Sequence, residues 1–148
     1  MNIPAPKSPK MPRKPETGDR PKGIELRQAH FPGRAPIDAY GNGGFHFAEM
    51  SHRGSILCLP SGIYGWKVET VADFTPNAFQ RVMDEAGQIE ILLLGTGTDL
   101  VPPSADLREA LRNTSVPADP MGTGAAVRTY NVLLAEGRAV AAALLAVE

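Results

Sequence analysis

Two stretches of the chain hold the residue types from which anion cradles are built. An apolar run, Leu92-Leu93-Leu94, ends in Gly95-Thr96-Gly97-Thr98-Asp99, and a second segment, Gly122-Thr123-Gly124, opens a helical pattern that reaches Arg128 one turn later. Glycine lets backbone amides approach a ligand, and the free amides at a helix start favour negative charge. A guanidinium adds a planar, multiply donating fork. Asp99 is placed to serve as an acid or base beside such a site. The nucleotide motifs themselves are missing. A dinucleotide fingerprint that began at Gly95 would need glycine at position 100, where Leu100 stands, and Pro102-Pro103 interrupt the path into a helix. Neither loop has the lysine of a phosphate-binding P-loop. Two readings stay open: a small-molecule or anion site drawing on these residues, or glycines that serve tight turns and close helix–sheet packing.

Other chemistry is sparse. His30, His46 and His52 share no metal-ligand spacing, and Cys58 has no second cysteine to join it. No metal or cofactor is expected. The Gly-x-Ser-x-Gly elbow and the His-Glu-x-x-His pair are absent, so no motif names a reaction and no residue is assigned as catalytic. Cys58 lies in an apolar strand pattern, where a thiol is a small inert hydrophobe. Trp66 reads as a core or interface aromatic, not as a base-stacking platform.

The elements that must position the Thr-Gly loops follow from periodicity. Short extended segments are expected at 24–29, 37–40, 45–47, 55–59 and 63–68, with Tyr40-Gly41-Asn42-Gly43-Gly44 as a hairpin turn. Thr75-Pro76 starts a helix through Ala78, Phe79, Val82, Met83 and Ala86, which Gly87 stops. A continuous apolar strand over 89–94 fits a sheet covered on both faces. Ser104 caps a second helix through Leu107 and Leu111, and a short proline-bearing strand over 116–121 belongs near an edge. Thr123 is read as the cap of a third helix that runs to Glu136; the segment 139–147 has alanines that favour helix, but the preceding Glu-Gly-Arg stop and its short length favour a last strand. This alternation predicts an α/β fold: a mixed, largely parallel central sheet with helices packed on it, and an antiparallel β-rich first half. Parallel strands at 89–94 and 116–121 would bring both Thr-Gly loops to one carboxyl edge, where open α/β sheets bind ligands. In the third helix Ala126, Tyr130, Leu133 and Leu134 form an apolar stripe, while Arg128 and Asn131 lie on another face. The polar Arg128-Thr129-Tyr130-Asn131 run needs partners, and the loop 95–99 is the expected source. A pocket wall or docking surface is the alternative.

Composition sets the outer bounds. An apolar fraction of 43% across 148 residues is that of one ordinary globular domain, expected over residues 24–148. Residues 1–23 hold six of the fifteen basic residues and two of the sixteen acidic ones, a net charge of +4. They read as a disordered Pro/Lys/Arg-rich tail whose PxxP spacings are unspecific. The remainder, with nine bases and fourteen acids, is −5, which argues against a nucleic-acid surface. The longest late apolar run, 139–147, is well short of the roughly 20 residues needed to span a bilayer. With no secretory signal and no disulfide framework, a cytoplasmic protein is expected.

Four segments together resemble a known family. They are Ile37-Asp38-Ala39-Tyr40-Gly41, the Leu59-Pro60 to Trp66 stretch, Leu92-Leu93-Leu94-Gly95-Thr96-Gly97, and Arg128-Thr129-Tyr130-Asn131 with the following Val132 to Arg138. The chain resembles the small single-domain family of mostly unknown function that includes the mitochondrial respiratory complex I assembly factor three. The resemblance implies an α/β domain with a mixed central sheet, a non-catalytic interaction or assembly role, and protein partners associated with respiratory complexes or the protein-export translocase. It points to a bacterial member, cytoplasmic or peripheral to the inner membrane. The resemblance implies a cysteine in many relatives where this chain has Val127, so thiol chemistry at that position cannot operate here. Homodimerisation through a sheet edge is compatible with all of this and required by none of it.

Overall fold

A computed structural model describes residues 31–148. The tail over 1–23, the strand expected over 24–29 and His30 lie outside the described residues. Two sheets organise the rest. The larger contains β1 (Phe31–Pro32), β5 (Ser55–Leu59), β6 (Gly62–Trp66), β7 (Ile91–Gly95), β8 (Ala118–Met121) and β9 (Val140–Leu144), in the order β1-β6-β5-β9-β7-β8. Its β9-β7-β8 side is parallel and its β1-β6-β5-β9 side antiparallel, so the sheet is mixed as the pattern predicts. The smaller is an antiparallel meander of β2 (Ile37–Gly41), β3 (Gly44–Phe47) and β4 (Met50–Arg53). Among the described residues three α-helices accompany them: α1 (Gln80–Asp84), α2 (Ala105–Asn113) and α3 (Thr123–Ala135).

Side-chain alternation splits the core into two layers. Leu57 and Leu59 of β5, Leu92 and Leu94 of β7, and Ala141 and Ala143 of β9 face a layer that contains Phe74, Phe79 and Val82 with Leu107 and Leu111 of α2. Their neighbours Ile56, Cys58, Leu93, Val140, Ala142 and Leu144 face the opposite layer, closed by Ala126, Val127 and Tyr130 of α3 and by Ile37, Phe45 and Phe47 of the small sheet. Burial on both faces explains why the central strands read as unbroken apolar runs. Trp66 is a core-edge aromatic: its ring lies 5.5 Å from Phe74 and 5.2 Å from Phe79, and its indole N–H donates to the Ala78 carbonyl at 3.0 Å.

Local chemistry sets the boundaries. Asn42 and Gly43, both at positive φ, form the two-residue turn that pairs Gly41 with Gly44. Ser104 caps α2 by accepting from the Leu107 amide at 3.2 Å. Gly137, at φ +77°, ends α3, with the Arg138 amide donating back to the Leu133 carbonyl at 3.0 Å. Thr75 does cap its segment, accepting from the Ala78 amide at 3.2 Å, yet the single helix expected through Ala86 is broken. A 3-10 turn at Asn77–Phe79, the short α1 and a second 3-10 turn at Ala86–Gln88 replace it. Helical geometry is left twice, at Phe79 (φ −104°) and at Glu85 (φ −109°), and the Glu85 carboxylate engages the amide and hydroxyl of Ser61.

Candidate functional site

Parallel pairing of β7 with β8 puts Gly95 opposite Met121, so both Thr-Gly loops leave the sheet at one carboxyl edge. There the two loops bind each other. The Thr96 hydroxyl lies 2.6 Å from the Asp99 carbonyl and 3.1 Å from that of Met121, and it accepts from the Val101 amide at 3.0 Å. The Thr123 hydroxyl donates to the Leu145 carbonyl at 2.8 Å and accepts from the Gly97 amide at 3.0 Å, while the Thr123 amide donates to the Gly97 carbonyl at 2.7 Å. Thr123 is therefore the buried first residue of α3, and Gly122 is the N-cap in its place. A threonine can leave the cap position here because β9 emerges alongside and supplies an acceptor at Leu145.

The glycines have steric reasons of their own. A β-carbon at Gly95 would fall 2.9 Å from Leu144 and 3.2 Å from the Thr123 backbone, and Gly97 holds φ +102°. Thr98, Asp99, Leu100 and Val101 remain exposed at the rim.

The polar run of α3 finds partners elsewhere than expected. Tyr130, almost fully buried, donates to the Ala35 carbonyl at 3.2 Å. Asn131 clamps Ile37 from both sides: its side-chain oxygen accepts from the Ile37 amide and its nitrogen donates to the Ile37 carbonyl, each at 2.9 Å. The loop 95–99 is not involved. β2 thus runs along one flank of α3, and at the other end of that seam the Tyr40 hydroxyl sits over Gly124, where a β-carbon would lie 2.4 Å away. Arg128 reaches the same point, its Nη1 3.6 Å from that β-carbon position, and it makes no ion pair among the described residues. Gly124, Arg128 and Val132 lie at i, i+4 and i+8, which forms one line on α3 away from the apolar stripe.

That line carries unusual surface. The exposed large hydrophobics among the described residues are Tyr40 (41%), Leu100 (58%), Val101 (38%) and Val132 (56%). Tyr40 and Val132 flank Arg128 along the α3 line, and Leu100 and Val101 belong to the first Thr-Gly loop. Neither Tyr40 nor Val132 is among the site residues expected from the sequence, although Val132 is visibly off the helix's apolar stripe. The Cys58 thiol is fully buried beside Tyr130, and burial pushes it up to about 12, which leaves it unreactive. No group of three or more metal-binding side chains occurs among the described residues, and none of the described helices is long and apolar enough to cross a membrane.

Concave surface is found elsewhere. One depression of about 420 Å³ lies over the small sheet around Tyr40, His46, His52 and Arg53. Another of about 530 Å³ lies between α2 and the edge strand β8.

Known proteins share this architecture. Residues 37–145 match the family described as a protein of unknown function, DUF498/DUF598. The chain is 41% identical over 119 residues to an uncharacterised protein of Rhodobacter capsulatus, covering 80% of this chain and 90% of that one. It is 30% identical over 122 residues to mouse NADH dehydrogenase (ubiquinone) 1 alpha subcomplex assembly factor 3, covering 82% of this chain but only 66% of the mouse protein. The crystal structure of an outer membrane protein from Bartonella henselae superposes with a TM-score of 0.78 at 60% identity, covering 80% of this chain and all of that one. The chain belongs to the DUF498/DUF598 family.

Proposed function

We propose that this protein is a non-catalytic interaction domain that acts in the assembly of membrane respiratory complexes, and that it binds its partner through the outer face of α3 and the adjoining Thr-Gly rim. The observation that carries the reading is the line of Tyr40, Arg128 and Val132. It combines an exposed tyrosine with a guanidinium that has no ion-pair partner among the described residues, two residue types enriched at the centres of protein interfaces, and sets an exposed valine beside them. The similarity to a protein named as a respiratory-complex assembly factor supplies the class of partner. A ligand cradle built on Thr96, Gly97 and Thr123 draws no support from the geometry, because their polar groups already satisfy one another. In this proposal residues 24–148 form the binding domain, residues 1–23 are an accessory tail, and the protein works in the cytoplasm or at the inner-membrane surface.

Affinity capture from detergent-solubilised native cells, with intact protein and with residues 1–23 deleted, tests the assignment. Stoichiometric recovery of respiratory-complex or translocase subunits with both forms is the expected result. Recovery of the protein alone overturns it.

A further inference from the structure

The depression between α2 and β8 lies on a different side of the chain from the α3 face and has its own chemistry. Its floor is apolar, with Pro103, Leu111 and Val116 buried and Pro120 half-buried. Among the described residues, its charged lining residues are Arg108 and Arg112. Each guanidinium uses one donor locally, Arg108 to the Pro103 carbonyl and Arg112 to Glu109, both at 2.7 Å. The remaining donors make no further hydrogen bond among the described residues and can meet a ligand.

We propose that this groove binds an extended segment of a partner protein in which acidic and apolar residues alternate. The spacing argues for it. Arg108 and Arg112 are four residues apart on a helix, about 6 Å along its axis. Alternate side chains of an extended chain repeat at about 6.6 Å, so two carboxylates at i and i+2 match the two arginines while intervening apolar side chains point to the floor. Among the described residues the outer edge of β8 is unpaired, but it is poorly suited to extend the sheet. The Leu92 and Thr96 amides donate to the carbonyls of Pro117 and Met121, which turns residues 117, 119 and 121 toward β7 and leaves Ala118 and Pro120 facing outward. Ala118 offers an N–H and a carbonyl to an incoming chain, and Pro120 offers no N–H.

That last feature disfavours a second copy of this chain, which would dock by continuing the sheet and would meet proline where the next donor is required. The N-terminal segment is also a poor occupant. Residues 1–23 carry a net +4, the wrong sign for two arginines.

The experiment is an amide chemical-shift titration of the full 15N-labelled chain with the peptide acetyl-Gly-Asp-Phe-Asp-Leu-Asp-Gly-amide. A second peptide with asparagine at each aspartate serves as control. Saturable shifts confined to Leu111, Ser115, Val116 and Ala118 are expected, with affinity reduced about tenfold for the asparagine peptide and for the Arg108→Ala/Arg112→Ala protein. Both arginines are on the exposed face of a helix, where alanine is the best helix former, so the variant folds. Arg112→Ala alone, which leaves the Pro103 contact intact, gives an intermediate loss. Shifts insensitive to both arginine and aspartate removal overturn the proposal, as does an absence of shifts at the groove. Nuclear Overhauser contacts between the groove and residues 1–30 in the peptide-free protein also overturn it, by naming the chain's own segment as occupant.

Discussion

Asn131→Ala removes the clamp that ties the small sheet to α3, and its cost follows from the geometry. The substitution deletes two hydrogen bonds of 2.9 Å and leaves the amide and carbonyl of Ile37 without their partners. Ile37 is only 2% exposed, so its backbone is poorly placed to recover water on both groups. At about 1 kcal/mol for each lost bond, plus part of the desolvation penalty of an orphaned group, the expected destabilisation is roughly 2–3 kcal/mol. Asn131→Asp refines the test. A carboxylate still accepts from the Ile37 amide but turns an oxygen toward the Ile37 carbonyl, where no donor remains. At neutral pH the Asp variant is therefore at least as unstable as the Ala variant. It recovers stability as pH falls, because the protonated carboxyl can donate to the carbonyl again. Urea unfolding followed by Trp66 fluorescence reads both effects. A loss below about 0.5 kcal/mol for Asn131→Ala, or a pH-independent Asp variant, would refute the claim that this clamp holds β2 against α3.

Other consequences are equally open to measurement. Gly44→Ala places a β-carbon 2.2 Å from the His52 carbonyl oxygen, a backbone atom that cannot swing aside, so the variant should lose roughly 3 kcal/mol or fail to fold, as thermal unfolding would show. Ser115, at φ +63°, follows α2 in left-handed geometry, and Ser115→Gly should raise stability by roughly 0.5–1 kcal/mol in the same assay. Burial lowers the His52 pKa below the ordinary 6.5, against a smaller opposing effect of its hydrogen bond with the Ser55 backbone. The folded state then binds its proton later than the unfolded state, so stability is undiminished by this group above about pH 6.5 and falls as pH drops from there through the folded value. His52→Gln should flatten that part of the stability–pH curve; an unchanged slope would show that other groups set it. Cys58, with its thiol pushed up to about 12, should resist alkylation at pH 8 in the native protein and react at the rate of global unfolding.

Much of the fold was legible because its signals are local. The β5 and β7 strands, the Asn42-Gly43 turn, the Ser104 cap and the Gly137 stop each announce themselves within a few residues, β9 is a strand despite alanines that favour helix, and the parallel β7–β8 pairing follows from the strand–helix–strand order. β4 was not legible. Its Met-Ser-His-Arg sequence is polar, and the turn before it uses Ala48 and Glu49 at positive φ, residue types that give no turn signal. The α1 region reads as one helix because its apolar spacing is helical; the departures at Phe79 and Glu85 have no local sign, and the one at Glu85 coincides with a contact to Ser61, 24 positions away. The candidate site was legible in composition and not in partnership. Gly95, Thr96, Gly97 and Thr123 do come together, but which hydroxyl meets which carbonyl depends on β9, distant in sequence. The pairing of Asn131 with Ile37 spans 94 positions and had no local sign at all.

The most direct test of the central claim pairs affinity capture with thermal unfolding for Arg128→Glu/Val132→Asp. Both side chains are exposed on α3 and contribute little to the core, so the melting temperature should stay within a few degrees of the parent's. If the α3 face is the docking surface, the respiratory-complex or translocase subunits recovered with the parent protein disappear with this variant. Undiminished recovery with an unchanged melting temperature would contradict the assignment of that face.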